Sequence, residues 1–193
     1  MANKSVKLGI YGGTFDPIHN GHLRVVVELL SRKIIDSLVL IPAGQPRLRS
    51  VEPVADGKTR LEMCKLAIQD LPAGIKEHVA VSDIEINRDG PTFAIDTVNE
   101  LNKSGAELFW IIGSDAYANI DKWHRADELK DLVNFIVIDR PGSTEEESAL
   151  DIGALDISAT EIRRALHEHR DVSSMIAPEV LRYIKEKKLY GAA

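Results

Sequence analysis

Short apolar runs alternate along this chain with longer stretches whose apolar residues recur every three or four positions. Residues 6–11 read as a strand running into two glycines, and Leu23, Val26, Val27 and Leu30 mark one face of a following helix. The same alternation predicts a strand over 37–41, a helix over 59–69, one or two strands over 79–86 and a helix over 92–103. Residues 108–112 and 134–139 are short, nearly continuous apolar runs of the kind found in strands buried on both faces. Two further helices are expected over about 159–168 and 178–187. Strands alternating with helices predict an α/β fold built on a doubly wound parallel sheet, with ligands beyond the carboxyl ends of the strands.

Composition narrows the setting. A chain of 193 residues, 44% apolar and 28% charged, suits one core, and neither an internal repeat nor a long linker divides it, so one domain over 1–193 is expected. Its start lacks a signal-peptide pattern, and no apolar stretch reaches the roughly 20 residues that span a bilayer. A single cysteine, Cys64, excludes an intrachain disulfide, and its apolar neighbours make it a small buried hydrophobe; a cytoplasmic protein without a membrane partner is expected. The net charge of -6 argues against nucleic acid as a partner. The sequence leaves homo-oligomerisation open.

Candidate chemistry begins at Gly12-Gly13-Thr14-Phe15-Asp16-Pro17-Ile18-His19-Asn20-Gly21-His22. Glycines after a strand allow a sharp turn and bring backbone N–H groups close to a phosphate. His19 and His22 stand three residues apart where a helix begins, so both rings lie on one face near an end that attracts anions. Phosphoryl and nucleotidyl transfer need in-line positioning and neutralised oxygens, which imidazole and backbone donors supply. The alternatives are that His19 caps a turn, that His22 has no ligand, or that the two histidines bind a metal with Asp16.

A second cluster lies near the far end. Ser158 precedes Glu161 by three positions, the pattern of a capping box, while Thr160 and Arg163 add a hydroxyl and a guanidinium suited to phosphate. Between the clusters, Gly113 and Asp115 end a strand, where the acid either receives ribose hydroxyls or caps a helix. Trp123, judged by residue type alone, is core.

The Gly12–His22 segment closely resembles the H-x-G-H signature of a nucleotidyltransferase superfamily, and within it the bacterial nicotinate-nucleotide adenylyltransferases. Ile157–Arg163 resembles that family's I-S-[SA]-T-x-x-R motif, Gly113-Ser114-Asp115 its Gly-x-Asp, Trp123-His124 its T-W-[HY] element and Pro91–Thr97 its P-[ST]-[YF]-[TA]-x-[DE]-T segment. The resemblance implies a Rossmann-like sheet with helices on both faces and a C-terminal helical segment. It also implies transfer of AMP from ATP to nicotinate mononucleotide, giving deamido-NAD and pyrophosphate, with Mg²⁺ carried by the ATP phosphates and no metal site of the protein's own. On this resemblance His19, His22 and Arg163 are catalytic; Gly12, Gly13, Thr14, Phe15, Gly113, Asp115, Ser158 and Thr160 hold ATP; and Thr92, Phe93, Ala94, Trp123 and Arg49 hold the acceptor. The family usually has P-H-K where this chain has Arg47-Leu48-Arg49, and Arg47, Arg49, Lys58 and Arg60 have the alternative of a solvated loop. An adenylyltransferase for nicotinamide mononucleotide or another phosphate acceptor, and a nucleotide-binding module without turnover, remain as rival functions.

Overall fold

A computed structural model describes residues 5–44, 52–139 and 149–192. Five strands, β1 (Lys7–Gly13), β2 (Ser37–Pro42), β3 (Val79–Val81), β4 (Glu107–Gly113) and β5 (Asn134–Ile138), form one parallel sheet in the order β3-β2-β1-β4-β5. Helices α1 (Asn20–Ser31), α2 (Gly57–Gln69), α3 (Ala73–Lys76), α4 (Ala94–Leu101), α5 (Ser114–Tyr117) and α6 (Ala126–Leu132) lie between strands; α7 (Ala159–His167) and α8 (Pro178–Glu186) end the chain.

Alternation along each strand sorts side chains between the two faces. Leu38, Leu40, Ile111, Ile136 and Ile138 join α1, α2, α7 and α8 in one core through Leu29, Met63, Ile162 and Ile184. Their neighbours Val39, Ile41, Trp110, Ile112 and Val137 join α4 and α6 in the other, through Ile95, Val98 and Leu129. Both faces are therefore covered, as a parallel sheet requires, and the C-terminal helices thicken one of them. Cys64 is fully buried in the first core, and burial pushes its thiol pKa up, so it is the inert hydrophobe its surroundings predict.

Two expectations need correction. Of residues 79–86 only Val79–Val81 form a strand; Ile84 to Glu85 and beyond are turns, with Asn87 N donating to Asp83 O at 2.9 Å. The helix expected over 92–103 begins at Ala94 and tightens into a 3₁₀ turn, Asn102–Ser104, before the left-handed Gly105. Tight last turns of this kind satisfy carbonyls that an α-helix would leave open.

The order of strands reverses at β1, with β2 on one side and β4 on the other, which creates a topological switch point. Register shows the crevice directly. β1 pairs with β4 only as far as Ile10 with Trp110, whereas it stays with β2 to Gly13 and Pro42, and β4 stays with β5 to Gly113 and Ile138. Beyond Ile10 the two halves of the sheet separate, and the Gly12-Gly13 and Gly113 ends line the gap.

Candidate functional site

Gly12 and Gly13 are the last residues of β1 rather than a turn. Their lack of side chains answers to room: a Cβ on Gly12 would stand 3.3 Å from the Trp110 ring, and one on Gly13 would meet the Phe15 ring at 2.8 Å. The chain turns at Phe15, which is left-handed (φ 50°) and buried with its ring edge-on to Tyr11 and His22. Asp16-Pro17 is a cis peptide, and α1 starts four residues after Asp16.

His19 is the N-cap of α1, extended (φ −147°, ψ 171°), with its carbonyl accepting from His22 N at 2.9 Å and Leu23 N at 3.2 Å. The His19 and His22 rings stack with centroids 3.7 Å apart and planes 29° from parallel. A Cβ on Gly21 would lie 3.0 Å from His19 Nδ1, so the glycine between the histidines makes room for the imidazole itself. His19 N donates to His22 Nδ1 at 3.2 Å, which leaves Nε2 to carry the hydrogen of the neutral His22 ring. Both histidines thus sit together at the helix start, and His22 is set as an Nε2–H donor.

Asp16, only 4% exposed, is the hub of the loop. Its Oδ1 accepts from Tyr190 OH at 2.6 Å and Ala55 N at 3.2 Å, and its Oδ2 from Val54 N at 2.8 Å. Arg163 Nη1 donates to the Asp16 carbonyl at 2.6 Å and lies 3.9 Å from Oδ2. With its carboxylate occupied in this way, Asp16 is not placed to complete a two-histidine metal site, and no cluster of three metal-ligating side chains occurs among the described residues. Burial pushes the Tyr190 phenol far up from its usual value, reinforced by the hydrogen bond and charge of Asp16, so it donates rather than ionises.

Arg60 corrects the solvated-loop alternative. It lies in α2 at 1% exposure, donating from Nε to Ala55 O (3.1 Å), from Nη1 to Thr14 O (2.8 Å) and from Nη2 to Ala43 O (2.7 Å). Burial pulls its pKa down, and the Asp16 carboxylate opposes that pull. The spacing Arg60, Met63, Cys64, Ala67 follows the buried stripe of α2, which is the signal that places it inside. Arg47, Leu48 and Arg49, with the acceptor role expected of Arg49, fall outside the described residues.

Ser158 caps α7, its hydroxyl accepting from Glu161 N at 3.1 Å. Thr160 follows in the first turn, and its Oγ1 accepts from Arg163 Nη2 at 3.4 Å. Ser158, Thr160, Glu161 and Arg164 line an open cavity of about 320 Å³, so Arg164 is a cation at this end that sequence reasoning passed over. Through Arg163 and Asp16 the structure joins the two clusters across 147 residues of chain.

On the other side of the crevice, Gly113 ends β4, and Asp115 stands exposed in the first turn of α5, with Gly113 rather than Asp115 at the N-cap. Trp123 is half-buried, edge-on to Trp110 at 6.0 Å, and Trp110 in turn underlies Gly12. Phe93 is the N-cap of α4 without a side-chain cap, which leaves the first N–H groups of that helix to other partners; its ring lies 4.3 Å from that of His124. Thr92, Phe93 and Ala94 are partly buried. The crevice therefore has phosphate-suited groups on β1, α1 and α7 and an aromatic wall with a helix start on the β4 side.

Residues 10–165 match a family model described as cytidylyltransferase-like. A nicotinate-nucleotide adenylyltransferase of Bacillus subtilis (strain 168) is 36% identical over 190 residues, spanning 95% of this chain and 98% of the relative. The structure of a Plasmodium falciparum nicotinic acid mononucleotide adenylyltransferase complexed with NaAD superposes with a TM-score of 0.84 at 23% identity, covering 97% of this chain and 98% of that one. A second structure of that Plasmodium protein, complexed with APC, gives a TM-score of 0.78 at 22% identity with the same coverage. At these identities the structural likeness bears on the fold.

Proposed function

The chain belongs to the nicotinate-nucleotide adenylyltransferase family of cytidylyltransferase-like proteins, and from that premise we propose how its crevice works. The protein transfers AMP from ATP to nicotinate mononucleotide, forming deamido-NAD and pyrophosphate in NAD biosynthesis. The acceptor phosphate attacks the α-phosphorus of ATP in line, a P–O bond forms to the acceptor oxygen, and the bond to the bridging oxygen of pyrophosphate breaks.

The observation that carries this reading is the parting of β1 from β4 beyond Ile10 and Trp110, which opens the crevice where the two histidines and the α7 start converge. ATP lies along Gly12, Gly13, Thr14 and Phe15, with Gly113 and Asp115 on its adenosine side and Ser158 and Thr160 on its phosphates. His19 and His22 stabilise the negative charge that grows on the transferring phosphoryl oxygens, and the Nε2–H of His22 is a preset donor. Arg163 adds a cation held in orientation by Asp16. Thr92, Phe93 and Ala94 receive the nicotinate carboxylate on helix-start N–H groups, and Trp123 stacks on its ring.

Mg²⁺ would be carried by the ATP phosphates, where it would supply charge neutralisation. The same reading makes residues 1–193 one nucleotidyltransferase domain and places it in the cytoplasm, where ATP, a pyridine mononucleotide and the unpaired Cys64 thiol are at home. Among the described residues no helix is long and apolar enough to cross a membrane.

Incubation with ATP, Mg²⁺ and either nicotinate or nicotinamide mononucleotide, with pyrophosphate as the readout, tests the proposal. Release with the acid and little with the amide is expected. Preference for the amide would overturn the acceptor assignment, and tight ATP binding without pyrophosphate from either would overturn catalysis.

A further inference from the structure

One buried charge near the crevice has no part in the chemistry above. Glu85 is 8% exposed in the turn that follows β3 and precedes α4. Thr97 donates its hydroxyl to Glu85 Oε1 at 3.0 Å, and Gly44 and Thr92 pack together beside Glu85, where a Cβ on Gly44 would stand 2.9 Å from Thr92 Cγ2. Arg88 donates from Nη1 to the same Thr97 Oγ1 at 3.1 Å, and its charge acts on the carboxylate from there. Burial pushes the carboxyl pKa up, and the Thr97 hydroxyl, with its neighbours Thr92, Gly44 and Arg88, opposes that. Burying a carboxylate is a poor way to add stability, since apolar residues of similar volume do as well or better.

What Glu85 connects, through its carboxylate to Thr97 and through its backbone to Gly44, gives it a purpose. Thr92 and Thr97 belong to the segment that opens α4, the proposed seat of the acceptor's base. Gly44 follows β2, and its neighbour Ala43 donates N–H to Gly13 O at 2.8 Å in the phosphate loop. Gly44 is pressed so closely on the Glu85 backbone that a Cβ there would stand 2.1 Å from Glu85 O, so the junction tolerates no side chain.

We propose that Glu85 is a positioning residue for the acceptor: it fixes the span between the base seat at the start of α4 and the phosphate loop at the end of β1. This deepens, and rests on, the adenylyltransferase reading. A mononucleotide held by its base at one end must deliver its phosphate in line with the α-phosphorus at the other, and a misplacement of about 1 Å lowers such rates roughly a hundredfold. ATP, seated on β1, β4 and α7, does not depend on that span. Glu85 thereby governs use of the acceptor without touching either substrate.

The test uses the full chain carrying Glu85→Gln, Thr97→Val or both. Thr97 is fully buried on the inner side of α4 and shares its hydroxyl between Arg88 and the Glu85 carboxylate, so its substitution disturbs that carboxylate without removing a group that meets substrate. In each variant kcat and KM for both substrates, the ATP dissociation constant and the thermal midpoint are measured. For Glu85→Gln, kcat/KM for nicotinate mononucleotide falls by about tenfold or more while the ATP dissociation constant stays within about twofold. Thr97→Val moves the acceptor constants in the same direction, and the double variant loses less than the two single losses combined. If Glu85→Gln does not fold, Thr97→Val decides alone. Acceptor constants unchanged in a folded variant, or ATP affinity lost in parallel with them, overturn the inference while the functional reading stands. A wild-type protein that releases no pyrophosphate with any pyridine mononucleotide overturns that reading first, and this one with it.

Discussion

His22 offers the sharpest test at the scale of single residues, because its ring is set as a donor by a backbone N–H on Nδ1. In His22→Ala the helix keeps a good helix former at that position, while the preorganised donor is lost. The expected result is a fall in kcat of about 10²–10³-fold, roughly 3–4 kcal/mol, with the ATP dissociation constant changed far less. Near-normal turnover would remove His22 from the transition state. Glu85 gives a second test, in pH. Its folded pKa is raised above the ordinary value of 4.5, by burial first. Between that value and the folded pKa the native state holds a proton that the unfolded state has released, so this group makes stability fall as pH rises through the window. Urea midpoints of wild type and Glu85→Gln, compared from about pH 4.5 upward, are expected to diverge in favour of Gln as pH rises. A difference that is flat in pH would show that Glu85 ionises natively as it does unfolded. These two residues also mark the limit of what the sequence discloses. The histidine pair is legible because its spacing and place after a strand are local facts. Glu85, Asp16 and Tyr190 take their meaning from partners 12 to 174 residues away, which no local spacing encodes. Arg60 stands between these cases: its period with Met63, Cys64 and Ala67 announces burial, and only the four carbonyls it holds reveal why.

Strands and helices that bury apolar residues on a clear period are legible as elements, and those bounded by polar caps or turns are less so. β2, β4 and β5 match the apolar runs because both of their faces are covered and every position must be apolar. The run over 79–86 misleads because Ile84 and Ile86 look like strand residues yet pack from a turn; Ile86 closes over Gly57 at the start of α2. The start of α4 is similarly late, since Phe93 is still extended and the helix begins at Ala94. By contrast α7 starts where Ser158 predicts, and that cap permits an element-level test. Ser158→Ala removes the acceptor of the Glu161 N–H and is expected to destabilise the chain by about 1 kcal/mol. Because the same hydroxyl is proposed to meet ATP, KM for ATP should rise by more than that loss of stability alone produces at temperatures well below unfolding. Denaturant titration and steady-state kinetics on one preparation separate the two. Replacement by Asp, an equally good cap that repels phosphate, should restore the midpoint and leave KM high. Recovery of both together would make Ser158 a cap and nothing more.

The whole molecule is organised around the point where its sheet divides, and the chain's last helical turn reaches back to hold it. Tyr190, 9% exposed, belongs to the core shared by α1, α2, α7 and α8, and its hydroxyl meets Asp16, from which contacts spread to Arg163 and the 54–55 backbone. The two tryptophans lie against the opposite face of the sheet, packed with α4 and α6. If residues 1–193 form one domain as proposed, a change at Tyr190 must be felt by Trp110 and Trp123 although neither is near it. Tyr190→Phe keeps the ring and deletes one hydrogen bond to a charged group, a loss of about 1.5–3 kcal/mol. For a chain of this length that lowers the thermal midpoint by roughly 3–12 °C. Tryptophan fluorescence and far-ultraviolet circular dichroism should shift together and by the same amount. The activity should fall as well, because Asp16 loses a tether while still carrying Arg163, and the fall should lie in kcat more than in KM for either substrate. A tryptophan transition that stays at the wild-type temperature while circular dichroism moves would mean that the two faces of the sheet unfold separately. The switch-point crevice would then lie between two units rather than within one, and the tie from Tyr190 to Asp16 would belong to only one of them.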